Sequence, residues 1–160
     1  MRISVISDTH NHLANVARIV ELLNAARVER VIHTGDITQA KTLHALAALD
    51  APLCGVYGNN DLERASLDRA CAELGFEFTD PPLRLALAGR RVVVVHDPRD
   101  LRAHPADAEV ALHGHDHRTV RERRHGTLVF NPGECAGHLP GHNRVGVVDL
   151  LSLETELVHF

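Results

Sequence analysis

The stretch RISVISDTHNHLANVARIVELLNAARVERVIHTGD, residues 2–36, predicts the fold because it contains a strand, a helix and a second strand. Residues 2–7 form a short β-branched run that is typical of a buried strand. Residues 30–35 predict the second strand. Between them, residues 13–26 form a helix with one apolar face, made of Leu13, Val16, Ala17, Val20 and Leu23. This order indicates a parallel sheet with a right-handed crossover.

The alternation continues with a helix over 38–49, a strand over 52–58 and a helix over 61–74. Thr38 is the expected N-cap of the first of these helices, and the second should end near Gly75. The rest of the chain is mostly strand, at 83–89, 91–96, 109–114, 119–124, 127–131, 144–150 and 154–160. The first two of these strands should form a hairpin around residues 88–90. We expect two packed sheets flanked by helices, in a single domain spanning 1–160.

The composition predicts a soluble globular protein of the cytoplasm. Hydrophobic residues make up 44% of the 160 residues and charged residues 24%. No apolar run is long enough to span a membrane, and the N-terminal residues lack the layout of a signal peptide. The three cysteines are odd in number and form no CxxC pair, which argues against a disulfide framework and favours a reducing compartment.

Charge and aromatic content argue against two classes of partner. The net charge is −4, whereas affinity for DNA or a membrane surface would favour a basic chain. One tyrosine and no tryptophan offer no stacking platform for single-stranded nucleic acid. We therefore expect no membrane partner, and nucleic acid only as a phosphodiester substrate. A homo-oligomer stays open.

Polar side chains concentrate where five predicted strands end, and this pattern predicts a site. Ligands of open α/β sheets bind outside the carboxyl ends of the strands. The chain-ordered set is Asp8 and His10, then Asp36, then Asn59, Asn60 and Asp61, then His96, and finally the histidines of ALHGHDH at 111–117. Side chains two residues apart on an extended chain point the same way, so Asp8 and His10 can share a site. The same parity covers His113, His115 and His117 and does not choose among them.

The motifs DTH, GD, GNND, a lone histidine after an apolar strand, and GHDH occur in that order between Ser7 and about Gly133. Together they resemble the calcineurin-like metallophosphoesterases, and the short chain is similar to the small YfcE-type phosphodiesterase branch. The resemblance implies an α/β fold, a four-layer α/β/β/α sandwich in which two mixed sheets are flanked by helices. It also implies a binuclear metal centre.

Position by position, the resemblance assigns seven metal ligands. The first ion would be held by Asp8, His10 and His117, and the second by Asn59, His96 and His115. Asp36 would bridge both ions, while His113 matches no ligand position. The same motifs mark the catalytic set as Asp36, Asn59, Asn60 and Asp61.

The implied cofactor is a pair of divalent transition-metal ions. Nitrogen and oxygen ligands without sulfur suit manganese, iron, zinc, nickel or cobalt, and we expect Mn²⁺. The implied reaction is hydrolysis of a small phosphodiester by a hydroxide that bridges the two ions. Two alternatives stay open: a phosphomonoesterase or protein phosphatase of the same fold, and a non-catalytic scaffold like the retromer subunit Vps29.

Three positions depart from the family pattern. Asn60 stands where many relatives carry a histidine that is proposed to protonate the leaving group, and an amide cannot do so. We therefore expect acidic leaving groups to be preferred, with His138 and His10 as alternative acids. Asp97 stands in HDP instead of HGH, where it adds charge beside the substrate or orients a metal ligand. Glu134 replaces the serine of NPGS, and both acidic residues are expected to alter the substrate pocket.

Overall fold

The structure is a computed structural model that describes residues 1–103, 108–138 and 141–160. Its elements follow the predicted order of alternating strands and helices, then mostly strands. In chain order they are β1 Arg2–Ile6, α1 Leu13–Ala26, β2 Arg30–His33, α2 Ala40–Leu46, β3 Leu53–Val56, α3 Arg64–Leu74, β4 Glu77–Thr79, β5 Leu83–Leu87, β6 Arg90–Val94, α4 Asp100–Ala103, β7 Val110–Leu112, β8 Val120–Arg124, β9 Thr127–Asn131, β10 Arg144–Asp149 and β11 Thr155–His159.

The strands form two mixed sheets, as predicted. The first has the order β11-β10-β1-β2-β3-β4, and the second the order β5-β6-β7-β9-β8. In the first sheet β1, β2, β3 and β4 are parallel, which confirms the crossover topology, and β10 and β11 add antiparallel pairs. In the second sheet β6, β7 and β9 are parallel, and antiparallel strands lie at both edges.

Alternation along β1 shows how the layers are assembled. Ile3 and Val5 face the second sheet and pack in the core between the two sheets. Ile6 packs with Val16 of α1 on the opposite face of the first sheet, where α2 and α3 also lie. Leu101 of α4 packs on the outer face of the second sheet. The result is the predicted four-layer α/β/β/α sandwich.

The expected boundaries agree closely at α1, at the Gly75 end of α3 and at the 83–96 hairpin. The N-cap prediction for α2 is wrong. Gln39 precedes the helix, whereas Thr38 has a φ of 69° and donates its backbone N–H to Asp61 Oδ1 at 2.6 Å. The sequence pattern also missed β4 and α4, which have only three and four residues.

Cys54, Cys71 and Cys135 are all free and buried. None of the helices in the described ranges has the length and apolarity needed to cross a membrane.

Candidate metal centre

All seven predicted metal ligands meet at one edge of the two sheets. Each lies just beyond a strand end, after β1, β2, β3, β6 or β7. Contacts between their side chains connect the whole set, which comprises Asp8, His10, Asp36, Asn59, His96, His115 and His117. The carboxyl ends of strands from both sheets therefore converge on a single polar site.

The first cluster forms around the buried carboxylate of Asp8. His117 Nε2 lies 3.4 Å from Asp8 Oδ1, and His10 Nε2 lies 3.8 Å from the same oxygen. Ser7 donates its hydroxyl to the other oxygen, Asp8 Oδ2. One carboxylate oxygen and two imidazole nitrogens thus face a common point.

The second cluster forms around the amide oxygen of Asn59. His96 Nε2 and His115 Nδ1 each lie 3.0 Å from Asn59 Oδ1. The two ring nitrogens lie 3.3 Å from each other. This cluster therefore presents one oxygen and two nitrogens, as the first cluster does.

Asp36 joins the two clusters. Its Oδ2 lies 3.4 Å from His10 Nε2 and 3.5 Å from His96 Nε2. Asn60 fixes this carboxylate from the other side, since its backbone N–H donates to Oδ1 at 2.9 Å and its side-chain amide donates to Oδ2 at 2.7 Å. Asp36, which the resemblance predicts as the bridging residue, thus contacts a histidine of each cluster.

The donor set fits divalent cations. Donor atoms around one transition-metal ion, each at about 2.1 Å from it, lie roughly 3 Å from one another, close to the spacings found here. Within the described residues, Asp8 Oδ1 and His10 Nε2 are buried without a hydrogen-bond partner. Such atoms are costly to bury unless something binds them. A cation between them would satisfy both.

Two of the three remaining imidazoles, those of His96 and His117, are held by a hydrogen bond at the nitrogen that faces away from the site. His96 directs Nδ1 to the backbone carbonyl of Thr34 at 2.9 Å. His117 directs Nδ1 to Glu134 Oε2 at 2.7 Å. His115 has the opposite orientation, with Nε2 3.7 Å from Asp97 Oδ2. Contacts of this kind fix ring orientation and tautomer in metal sites.

The backbone at five of the seven ligands is left-handed. The φ angles are 53° at Asp8, 40° at His10, 61° at Asp36, 73° at His115 and 55° at His117. The parity argument for an extended chain is therefore wrong, because these residues lie in turns beyond the strands. Left-handed backbone in non-glycine residues costs about 1–3 kcal/mol each and concentrates at functional sites.

The resemblance assigns Asp61 to the catalytic set. In the structure, its carboxylate accepts hydrogen bonds from backbone N–H groups. It accepts N–H groups from Gly58 at 2.7 Å, Asp36 at 3.0 Å and Thr38 at 2.6 Å. Burial raises the pKa of this carboxyl group. Asp61 thus ties the loops after β2 and β3 together and positions Asp36.

Two glycines make room for the carboxylates. A Cβ on Gly58 would overlap Asp36 Oδ1, and a Cβ on Gly114 would overlap Ser7 Oγ. The Gly114 Cβ would also lie 2.9 Å from Asp8 Oδ2. At these positions the main chain itself approaches the metal ligands.

His113, which parity left open, lies outside the cluster. It is buried, and its Nδ1 lies 3.1 Å from the carbonyl oxygen of Gly114. Burial lowers the pKa of its imidazole. Its surroundings include Val120 and Val129, on the outer side of the second sheet.

His33 is a buried histidine beneath the site. Its Nδ1 accepts the backbone N–H of Gly35 at 3.0 Å, and its Nε2 lies 3.1 Å from Thr9 Oγ1. Burial lowers the pKa of this imidazole to about 4. The folded protein therefore holds His33 in its neutral form near pH 7.

This depressed pKa predicts a loss of stability in acid. The unfolded chain protonates His33 below about pH 6.5, whereas the folded protein resists down to about pH 4. The free energy of unfolding of the wild type should fall by about 2 kcal/mol more than that of His33→Gln between pH 7 and pH 5. Urea unfolding of both proteins at each pH measures the difference. The same pH dependence in both would contradict it.

A cleft of about 520 Å³ opens beside the second cluster. Its lining includes Asn59, His96, His115, Asp97 and Arg99. The Arg99 guanidinium lowers the pKa of Asp97 to about 2, so this carboxylate is charged. Asp97 therefore lies at the cleft, as expected, between Arg99 and His115.

Glu134 is not among the lining residues of this cleft. Its side chain is 0% exposed and lies behind His117. The described partner of its carboxylate is His117, a candidate metal ligand.

Residues 1–154 match the family model of the calcineurin-like phosphoesterase superfamily domain, and the chain belongs to this family. Within the family it is similar to a phosphodiesterase of Methanocaldococcus jannaschii, with 32% identity over 154 residues and 93% of each chain covered. A solved archaeal phosphodiesterase superposes with a TM-score of 0.92 at 30% identity over 100% of both chains.

The fold is also shared with the Escherichia coli phosphoesterase YfcE. The TM-score is 0.75 at 24% identity, over 99% of this chain and 98% of that one. These relatives support a phosphoesterase function and place the chain in the small phosphodiesterase branch, and the family implies divalent metal ions.

Proposed function

We propose that this protein hydrolyses phosphodiesters at a centre of two divalent ions, with Mn²⁺ as the activating metal. The observation that carries the proposal is the position of Asp36. Its carboxylate lies 3.4 Å from a nitrogen of the first cluster and 3.5 Å from a nitrogen of the second. A carboxylate between two ligand groups can bridge two ions, and paired ions about 3.5–4 Å apart are the basis of two-metal hydrolysis.

The first ion would be held by Asp8, His10 and His117, the second by Asn59, His96 and His115, and both by Asp36. Ions bound there would act as Lewis acids that polarise the phosphate and lower the pKa of water. The protein positions these donors, because the outward nitrogens of His96 and His117 are already engaged in hydrogen bonds.

The residues around Asp36 determine which leaving groups are accepted. The side-chain amide of Asn60 donates to Asp36 Oδ2 and has no proton to release at neutral pH. His138 is exposed, and its ring centroid lies 5.3 Å from that of His10, so it stands as the alternative acid at the edge of the first cluster. With Asn60 at the centre, esters that leave without protonation should react best.

The scaffold alternative predicts a protein that hydrolyses no phosphoester. All seven ligand positions are filled here by residues that can coordinate, and their donor atoms converge. This arrangement favours an enzyme. The monoesterase alternative shares the same site and differs in substrate alone.

A single activity panel tests the proposal. The chelator-treated protein is supplied with Mn²⁺, Ni²⁺, Zn²⁺ or Mg²⁺ and assayed on bis(p-nitrophenyl) phosphate, p-nitrophenyl phosphate, cyclic nucleotides and dinucleotides. We expect the aryl diester to be hydrolysed fastest with Mn²⁺ and to be left intact without metal. A protein that binds no metal and remains inert would support the scaffold alternative. Faster turnover of the monoester would support the monoesterase.

A further inference from the structure

We infer that Glu134 is a positioning residue that orients His117 and thereby strengthens the binding of the first metal ion alone. The inference rests on the proposed metal centre. It concerns a residue that the sequence pattern assigned to the substrate pocket. The structure instead places its buried carboxylate directly behind one ligand histidine.

The contact between the two side chains fixes the imidazole at both nitrogens. His117 Nδ1 lies 2.7 Å from Glu134 Oε2, and Nε2 lies 3.4 Å from Asp8 Oδ1. When Nδ1 donates its proton to Glu134 Oε2, the lone pair of Nε2 points toward Asp8. This is the tautomer that a metal ligand needs.

The main chain around Glu134 is also anchored. The carbonyl of Glu134 accepts the backbone N–H of Arg144 at 3.0 Å. The next residue, Cys135, donates its backbone N–H to the carbonyl of Ser7 at 3.1 Å. The carboxylate is therefore tied to the segment that carries Asp8, so its position relative to the first cluster is fixed.

The effect should be confined to one ion. His96 relies on a neutral carbonyl, and Asp97 lies 3.7 Å from His115 while it binds Arg99. Within the part of the chain that the structure describes, Glu134 is thus the carboxylate at hydrogen-bond distance from the outward nitrogen of a ligand histidine. Carboxylate partners of this kind make the imidazole a stronger ligand and contribute about 10- to 100-fold in metal affinity.

The geometry also offers Glu134 the role of a metal ligand. Donor atoms of Glu134, His117 and His138 all lie within 4.8 Å of one another and could hold a cation themselves. That site would need the lone pair of His117 Nδ1, which the hydrogen bond to Glu134 replaces with a proton. The count of bound ions separates the two roles.

Calorimetric titration of the metal-free protein with Mn²⁺ tests the inference without an activity assay. The wild type should bind two ions per chain. In Glu134→Gln, one dissociation constant should rise about 10- to 100-fold, while the other stays within about twofold. His138→Ala should leave both Mn²⁺ dissociation constants unchanged. Asp97→Asn should leave unchanged the dissociation constant that Glu134→Gln raises.

A double-mutant cycle shows whether Glu134 acts through His117. In a His117→Ala background, Glu134→Gln should produce no further loss of affinity. If Glu134→Gln does not fold, Glu134→Asp should weaken the binding of the same ion, because the shorter side chain withdraws the carboxylate from His117 by one methylene.

Several results would overturn the inference alone. One is that Glu134→Gln binds two Mn²⁺ ions with unchanged dissociation constants, and another is that it weakens the binding of both ions equally. A third is that the effects of Glu134→Gln and His117→Ala on affinity are additive. The last is that the wild type binds a third ion that His138→Ala removes. A wild type that binds no Mn²⁺ would instead overturn the proposed function, and the inference with it.

Discussion

Asp36→Ala should abolish phosphodiester hydrolysis, lowering kcat/KM by at least about 10³-fold. The carboxylate contacts both ligand clusters, so its removal would leave neither proposed ion fully coordinated. Several kcal/mol of transition-state stabilisation depend on such ions, and each 1.36 kcal/mol is a factor of ten in rate. Initial rates on an aryl diester, together with the number of Mn²⁺ ions bound, measure the effect.

The control for this variant is Asp116→Ala, which removes an exposed aspartate between His115 and His117. It should retain wild-type activity and bind two ions. Wild-type activity in Asp36→Ala would contradict the binuclear proposal directly. Loss of activity with two ions still bound at wild-type affinity would contradict the bridging role.

Asn60→His should raise the hydrolysis of esters with poor leaving groups by about 10²-fold, at the lower end of what a positioned acid contributes. The gain should be absent for aryl diesters, whose leaving groups need no proton. A plot of log kcat/KM against leaving-group pKa measures the effect, because the slope should become shallower in the variant. The variant also loses the amide contact to Asp36 Oδ2.

Asn60→Gln is the matched control, since it alters the same side chain without supplying an acid, and it should show no gain. If Asn60→His gives no gain on alkyl esters and His138→Ala slows them, His138 is the acid. That outcome would remove the missing-acid argument and leave the metal centre intact.

The fold could be predicted where a helix or strand has a clear pattern in its own local sequence. The periodicity of 13–26 predicts α1 to the residue, and the turn at Ala88 and Gly89 predicts the β5–β6 hairpin. β4 pairs only at the sheet edge and has alternating exposed and half-buried residues over three positions, so no pattern could reveal it. Thr38 looks like an N-cap by residue type, but the distant carboxylate of Asp61 determines its conformation.

The candidate site was predictable because the proposed metal ligands occur in motifs at strand ends, and their convergence follows from the topology. The parity argument for side chains two residues apart was wrong, because Asp8 and His115 lie in left-handed turns and not on extended chain. The contacts of Asp61 and Glu134 could not be predicted from the sequence. Each depends on a contact with a loop that is distant in sequence, such as the hydrogen bond from His117 to Glu134.

Gly58 and Gly114 leave no room for a side chain, whereas several other glycines do. Alanine at Gly75, Gly89 or Gly126 meets no atom within 4 Å and costs only backbone strain. Alanine at Gly58 or Gly114 would push against the atoms that hold Asp36 and Asp8. A single added methyl group at either position would therefore displace a carboxylate on which the proposed catalysis depends, although neither glycine itself offers a donor atom to a metal ion.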